Sequence, residues 1–227
     1  MAALVPVITI DGPAASGKGT VARLLAQYLG FNCLDSGKIY RAAGMLALQS
    51  NLALDDEADM LYLAGTLVKN EATLSSLMQS PNIGDEAVGA AASQLAAIAG
   101  VRAALLPLQR TQLRPPGLVA DGRDMGTVVF PDAVLKVFLT ADINERARRR
   151  WQQLQECGMH GTMKDIFLDL RRRDEQDSCR AQSPLRAAAD SLRIDSTQCT
   201  PEELASQLAK DFIARCSFSP FCFPQGD

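Results

Sequence analysis

Apolar and polar positions along the chain alternate between two rhythms. Val5 to Ile10 is a β-branched run closed by Asp11, Gly12 and Pro13, which predicts a buried parallel strand stopping at a loop. From Lys18 the apolar positions Val21, Leu24, Leu25, Tyr28 and Leu29 recur at helical spacing, and Gly30 supplies the stop. Phe31 to Leu34 predicts a second short strand ending in Asp35-Ser36-Gly37, followed by a helix from about Ile39 to Ser50. Gly117 to Asp121 and Leu135 to Thr140 read as two more buried strands, and Leu192 to Asp195 as a weaker fifth. Strands alternating with helices predict an α/β fold with a doubly wound, five-stranded parallel sheet and right-handed crossovers.

Residues 51–100 break the rhythm. An acidic helix is expected near Glu57 to Val68, a polar stretch through Pro81-Asn82, and an Ala-rich helix near Glu86 to Ala97, which together read as an insertion. Val101 to Leu113 continues helically, but Pro107 is expected to kink it or end its first half. Arg114-Pro115-Pro116-Gly117 is a linker. Asp142 and Glu145 offer an N-terminal capping pair for a long Arg-rich helix, and Thr200-Pro201-Glu202-Glu203 repeats the signal before the last one. The tail from 216 to 227, with Pro220, Pro224 and little periodicity, is expected to be loosely ordered.

Composition narrows the classes. At 227 residues the chain suits one α/β domain with a small insertion, and 47% hydrophobic with 22% charged residues is ordinary for a soluble globular protein. A net charge of −3 argues against a nucleic-acid binder. Charge is nonetheless uneven: ten Lys/Arg face seven Asp/Glu between Asn144 and Arg186, against one Lys and seven acids over 51–100. The six cysteines form no C-x-x-C pair, and a reducing cytoplasm is the expected setting. His160 is the only histidine, which excludes a multi-His zinc site and a Ser-His-Asp triad. The short apolar run after Met1 lacks a basic start and falls short of the ~20 residues a span requires, so neither a signal peptide nor a membrane partner is expected.

The strongest chemical signal is Gly12-Pro13-Ala14-Ala15-Ser16-Gly17-Lys18-Gly19-Thr20, placed between a buried strand and a helix as a phosphate-binding P-loop requires. Glycines let successive amides converge on phosphate oxygens, the helix N-terminus adds a favourable dipole, and Lys18 supplies a movable charge near the β- and γ-phosphates. Gly19 stands where a magnesium-binding Ser or Thr usually follows the lysine, and the hydroxyl arrives one place later at Thr20. Asp121 ends a strand, where an acid either orients a magnesium-bound water or caps the local backbone. Arg123 and Asp124 follow, and either face a ligand crevice, one neutralising phosphate and one accepting from an exocyclic amine, or form a local ion pair. Arg146, Arg148, Arg149, Arg150, Arg171, Arg172, Arg173 and Arg180 are either a lid bringing positive charge to a moving phosphoryl group or solvated helix faces.

The ordered set of Gly12 to Thr20, Leu34 to Arg41, Asp121 to Thr127, Arg173 through Arg180, and Asp195 to Thr197 closely resembles bacterial cytidylate kinases, within the P-loop nucleoside-monophosphate kinases, from residue 5 to about 215. The resemblance implies one P-loop kinase domain over 1–215. Its core would be 1–50, 101–143 and 181–215, with an acceptor-binding insertion at 51–100 and an Arg-rich lid at 144–180. It implies ATP and Mg²⁺, with Gly12 to Thr20 on the donor phosphates, and Arg41 and Arg123 on the acceptor phosphate. Ser36, Ser93, Arg102 and Asp124 would line the cytosine pocket, Tyr40, Arg173 and Asp177 would lie near the ribose, and Arg180 would reach base or phosphates. Lys18, Arg123, Arg173 and Arg180 would carry the transfer. The segment between about 66 and 90 is shorter than the strand-rich one such proteins often carry.

The expected activity is transfer of the γ-phosphoryl group of MgATP to CMP or dCMP by a cytoplasmic monomer acting on small nucleotides. Two other readings remain at this point: a kinase for another monophosphate or small metabolite, and a nucleotide-binding switch without turnover. Against the switch stands the absence of an Asn-Lys-x-Asp guanine signature.

Overall fold

The computed structural model describes residues 5–156, 158, 161–180 and 182–217. Five strands, β1 (Val7–Asp11), β2 (Asn32–Asp35), β3 (Leu118–Gly122), β4 (Leu135–Thr140) and β5 (Leu192–Asp195), form one sheet in the order β2-β3-β1-β4-β5. β1 lies at its centre, parallel to β3 on one side and to β4 on the other, with Ile10 opposite Asp121 and Val137. β4 pairs in parallel with β5. β1, β3 and β4 are mostly apolar and buried, with Thr9 and Lys136 the polar residues inside β1 and β4, because strands covered on both faces have no solvent face to alternate with. The predicted fold class is the observed one.

The chain divides into two compact units, one reaching Leu34 and resuming at Leu113, the other spanning Asp35–Gln112. The first unit holds the sheet, with α1 (Lys18–Leu29), α7 (Ile143–Glu156), α8 (Met163–Cys179) and α9 (Pro201–Ser217). Its core joins Ile8, Ile10, Leu25, Leu135, Val137 and Phe212, all essentially without exposure. Each such side chain removed from water stabilises the fold by about 1.5–3 kcal/mol. α1 ends as expected at Gly30, which takes the left-handed conformation at φ 66°. Asn32 Nδ2 ties β2 to the predicted linker by donating to the carbonyls of Arg114 (3.0 Å), Pro115 (3.2 Å) and Gly117 (3.1 Å).

The second unit is helical: α2 (Ser36–Gln49), α3 (Glu57–Lys69), α4 (Glu71–Met78), α5 (Glu86–Leu95) and α6 (Ala99–Arg110). Gly44 of α2 is a close-approach position, where a Cβ would stand 2.9 Å from the Ala92 amide nitrogen of α5. α4 was not expected. Its start is marked by Asn70, whose side chain accepts from the Thr73 amide, and the eight-residue helix is too short to show a periodicity. Pro107 does not end α6, which runs on to Arg110. Pro107 and Ala103 are both exposed, so the Ala103 carbonyl deprived of its donor is open to water.

The two expected capping pairs differ. Thr200 and Glu203 form a reciprocal box, each side chain accepting from the other's amide at 3.2 and 3.1 Å. Asp142 accepts from the Asn144 amide at 2.8 Å, but Glu145 turns to Arg148 and Arg149, and the Asp142 amide donates instead to Thr197 Oγ1 at 2.9 Å. α9 continues through Ser217. The rest of the tail expected to be loose, 218–227, lies outside the described residues, as do Cys157, His160 and Cys222. Among the described residues no single helix is long and apolar enough to cross a membrane.

Candidate functional site

Between β1 and α1 the loop from Gly12 to Gly17 closes into a cradle. A Cβ on Gly12 would stand 2.0 Å from the Leu139 carbonyl oxygen, so no other residue allows this approach of the loop to β4. Gly17, at φ 88°, stands at the N-cap of α1 without a side-chain cap, so the first amides of α1 are presented to the loop. Ser16 Oγ is buried and finds no hydrogen-bond partner among the described residues. Lys18 donates to the Pro13 carbonyl at 3.1 Å, and its Nζ stands 4.0 Å from Asp121 Oδ1 at the end of β3.

Two of the predicted arginines hold this loop from its carbonyl side. Arg146, almost fully buried, grips Asp174 through both terminal nitrogens and donates to Ala14 O at 3.2 Å and Ala141 O at 3.0 Å. Arg149 donates to Ser16 O at 3.3 Å and Ser196 O at 2.6 Å, and Ser196 Oγ donates to Ser16 O at 2.8 Å. Ala14 and Ala15 pack on the apolar seam of α7 and α8 formed by Ala147, Leu154, Ile166 and Leu170. Carbonyls engaged by cations and helix amides without a cap give the cradle the polarity an anion needs. Arg146 and Arg149 thus serve the loop's own carbonyls, whereas Arg148 is half exposed and pairs with Glu145. The sequence carried a signal for α7 but none for which of its arginines face inward.

Beyond β3 the chain makes one π-helical turn, Met125–Val129, in which Val129 and Phe130 donate to carbonyls five residues back. Such turns recur at functional sites. Arg123 Nε donates to Asp177 Oδ2 at 2.8 Å, and Arg180 donates to the other Asp177 oxygen. Burial works to lower the Arg123 pKa, but Asp177, with Asp121 and Asp174, outweighs it and the guanidinium is held charged. Asp177 is thus the hinge between two predicted arginines. Arg173 pairs with Asp169 at 2.7 Å. Asp124 is buried at the start of the turn.

Sequence reading missed Asp11. It is buried at the end of β1 and accepts the amides of Met125 and Gly126, each at 2.8 Å. Burial pushes its carboxyl up to about 6, against those amides, which pull it down; Asp124 adds to the rise and Arg123 opposes it. A second acid at a strand end was the available signal.

The second unit carries the other predicted residues. Ser36 is buried as the first residue of α2, and Ser93 is half-buried on α5. Arg41 donates to Ile83 O at 3.0 Å and Asp85 O at 3.2 Å. The Arg102 guanidinium lies over the Tyr40 ring, 5.5 Å from its centroid, and donates to Ala96 O at 3.3 Å. Residues 66–90, the segment read as shorter than the strand-rich one that similar proteins often carry, hold helix and a 3₁₀ turn, Pro81–Gly84.

The first unit holds oxygen donors of the kind Mg²⁺ takes. The cradle offers the Asp121 carboxylate at a strand end and the Thr20 hydroxyl in the first turn of α1. Mg²⁺ takes one or two such oxygen ligands and completes its shell with water and substrate phosphate.

A family model for cytidylate kinase matches residues 8–213. A cytidylate kinase of Azotobacter vinelandii is 48% identical over 219 residues, covering 92% of this chain and 96% of that protein. One of Burkholderia pseudomallei is 49% identical over 207 residues, covering 89% and 91%. A solved structure of an uncharacterized protein from Eubacterium ventriosum shares the fold at a TM-score of 0.51 and 10% identity, over 93% of this chain and 99% of that one. With the motifs in order, the phosphate cradle formed and the match running nearly end to end, the chain belongs to the cytidylate kinase family.

Proposed function

We propose that the chain moves the γ-phosphoryl group of MgATP to CMP and dCMP, giving ADP and CDP or dCDP, with the residue roles that follow. The observation that carries this is the first unit's cradle: a loop with engaged carbonyls and an uncapped helix, with Lys18 beside Asp121. Gly12 to Thr20 hold the donor's phosphates. Lys18 exchanges the Pro13 carbonyl for a phosphoryl oxygen, a short movement of a flexible stem. Thr20, and Asp121 through water, would hold Mg²⁺, which would supply positive charge against the donor's phosphate oxygens.

Arg123 and Arg180, already gathered by Asp177, bring two positive charges to the acceptor phosphate and the group in transfer, with Arg173 beside them and Asp177 reaching the ribose. Asp124 accepts from the exocyclic amine of cytosine, where uracil would present an oxygen. On the second unit, Ser36, Ser93 and Arg102 serve the base, Tyr40 the ribose and Arg41 the acceptor phosphate. Attack is in line and requires no general base, because a phosphate with a second pKa near ~6 is already ionised at neutral pH. A cytoplasmic monomer is the form proposed; among the described residues Cys179 and Cys199 carry free thiols.

The test is an acceptor panel of CMP, dCMP, UMP, AMP and dTMP with MgATP, read as relative kcat/KM. CDP and ADP should form, with CMP or dCMP preferred. Tight ATP binding with no transfer to any monophosphate would overturn the reading in favour of a switch.

A further inference from the structure

We propose that Asp11 is a positioning residue for the acceptor nucleotide: from the end of β1 its carboxylate caps the turn that carries Arg123 and Asp124. The inference rests on the acceptor roles proposed for those two residues. A helical turn leaves its first amides without intrahelical partners, and the residue at the N-cap normally serves them. Asp124 occupies that position, yet its side chain makes no capping hydrogen bond. Asp11 does so from a distant strand, one oxygen on the Met125 amide and the other on the Gly126 amide, both at 2.8 Å.

The turn has little freedom to settle elsewhere. A Cβ on Gly126 would stand 2.8 Å from Thr9 Oγ1 of β1 and 3.3 Å from the Lys136 side-chain carbons of β4. Thr9 is fully buried, so the turn is pressed onto both strands. A carboxylate buried this deeply costs stability that an apolar residue would not, and position 11 is next to Gly12 of the phosphate cradle. Its place in the fold is explained by what it orders: one strand end fixes the donor loop through the chain and the acceptor loop through two hydrogen bonds.

Asp11→Asn retains the shape but turns an amide N–H towards one of the two backbone donors. The expected result is a rise of about tenfold in KM for CMP, with KM for ATP at saturating CMP changed less than twofold. Gly126→Ala, which leaves Asp11 intact, should give the same pattern, and Thr9→Ala in the Gly126→Ala background should recover part of it. In a double-mutant cycle, Asp11→Asn should add less to Asp124→Ala than it costs alone, the remainder acting through Arg123. KM values for ATP and CMP that rise in parallel, unchanged KM values with only a lowered Tm, or full additivity with Asp124→Ala would overturn the proposal. If Asp11→Asn does not fold, Gly126→Ala and its Thr9→Ala partner decide. If Asp124→Ala itself leaves KM for CMP unchanged, the acceptor reading fails; if it raises KM and Asp11→Asn and Gly126→Ala do not, only this inference fails.

Discussion

A side chain at position 19 and the carboxylate of Asp121 compete for one place: a Cβ on Gly19 would stand 2.9 Å from Asp121 Oδ2. Asp121 is buried, and its backbone is fixed opposite Ile10 in the parallel β1–β3 ladder, so it has little room to yield. This accounts for the glycine where P-loops usually carry a hydroxyl directly after the lysine. Gly19→Ser, which restores the commoner motif, should therefore lower kcat about tenfold or more, because a displaced Asp121 disturbs Lys18, 4.0 Å away. Steady-state kinetics at saturating MgATP and CMP check this; a Ser variant as fast as the parent would show that Asp121 moves at no cost.

Asp124 should set the choice of base. Asp124→Asn replaces an acceptor by a donor at one oxygen, and one good paired contact is worth roughly 1–3 kcal/mol of discrimination. The kcat/KM for CMP should fall about 10–100-fold while that for UMP falls less, so the ratio between them collapses. Competition between the two acceptors in one reaction vessel measures that ratio directly.

Arg146 and Arg148 are two residues apart on one helix and should behave oppositely. Arg146 has a side-chain exposure of 7% and grips Asp174 through two nitrogens, while Arg148 has 52% and pairs with Glu145 and Gln152. Arg146→Ala should destabilise by about 3 kcal/mol, by leaving Asp174 and the Ala14 and Ala141 carbonyls without their donor. Arg148→Ala should leave the unfolding midpoint almost unchanged. Denaturant unfolding of the two variants distinguishes them, and only Arg146→Ala should also weaken ATP binding.

What the sequence revealed, and what it did not, follows from the range of the forces involved. β4 and β5 were legible to the residue, because an apolar strand and its polar ends are local signals. The phosphate cradle was legible for the same reason: Gly12, Gly17 and Lys18 are needed at fixed offsets. Asp11, by contrast, finds its partners at Met125 and Gly126, and Arg146 finds Ala14, across more than a hundred residues. No periodicity encodes such a meeting. Glu145 looked like a capping residue because its spacing from Asp142 is right; two arginines one turn further on outcompeted a backbone amide for its charge.

That competition has a pH signature. The Glu145 carboxyl is pulled down to about 2, chiefly by the hydrogen bonds from Arg148 and, against some burial, by Arg149. A carboxyl whose folded value lies below its ordinary 4.5 contributes stability that is present above about pH 4.5 and is lost as pH falls through about 2. Asp11 runs the other way: raised from 3.8 to about 6, it contributes stability that is complete below 3.8 and is lost as pH rises through 6. Glu145→Gln should therefore be less stable than the parent by about 1 kcal/mol at pH 7, a figure kept small by solvent screening of an exposed pair. The gap should hold down to pH 5 and close between about pH 4.5 and 2. Urea unfolding of parent and variant at pH 7, 5, 3.5 and 2.5 tests this. A gap that stays constant to pH 2.5 would mean that Glu145 acts through packing rather than through its charge, and that Arg149 keeps its hold on Ser16 without it.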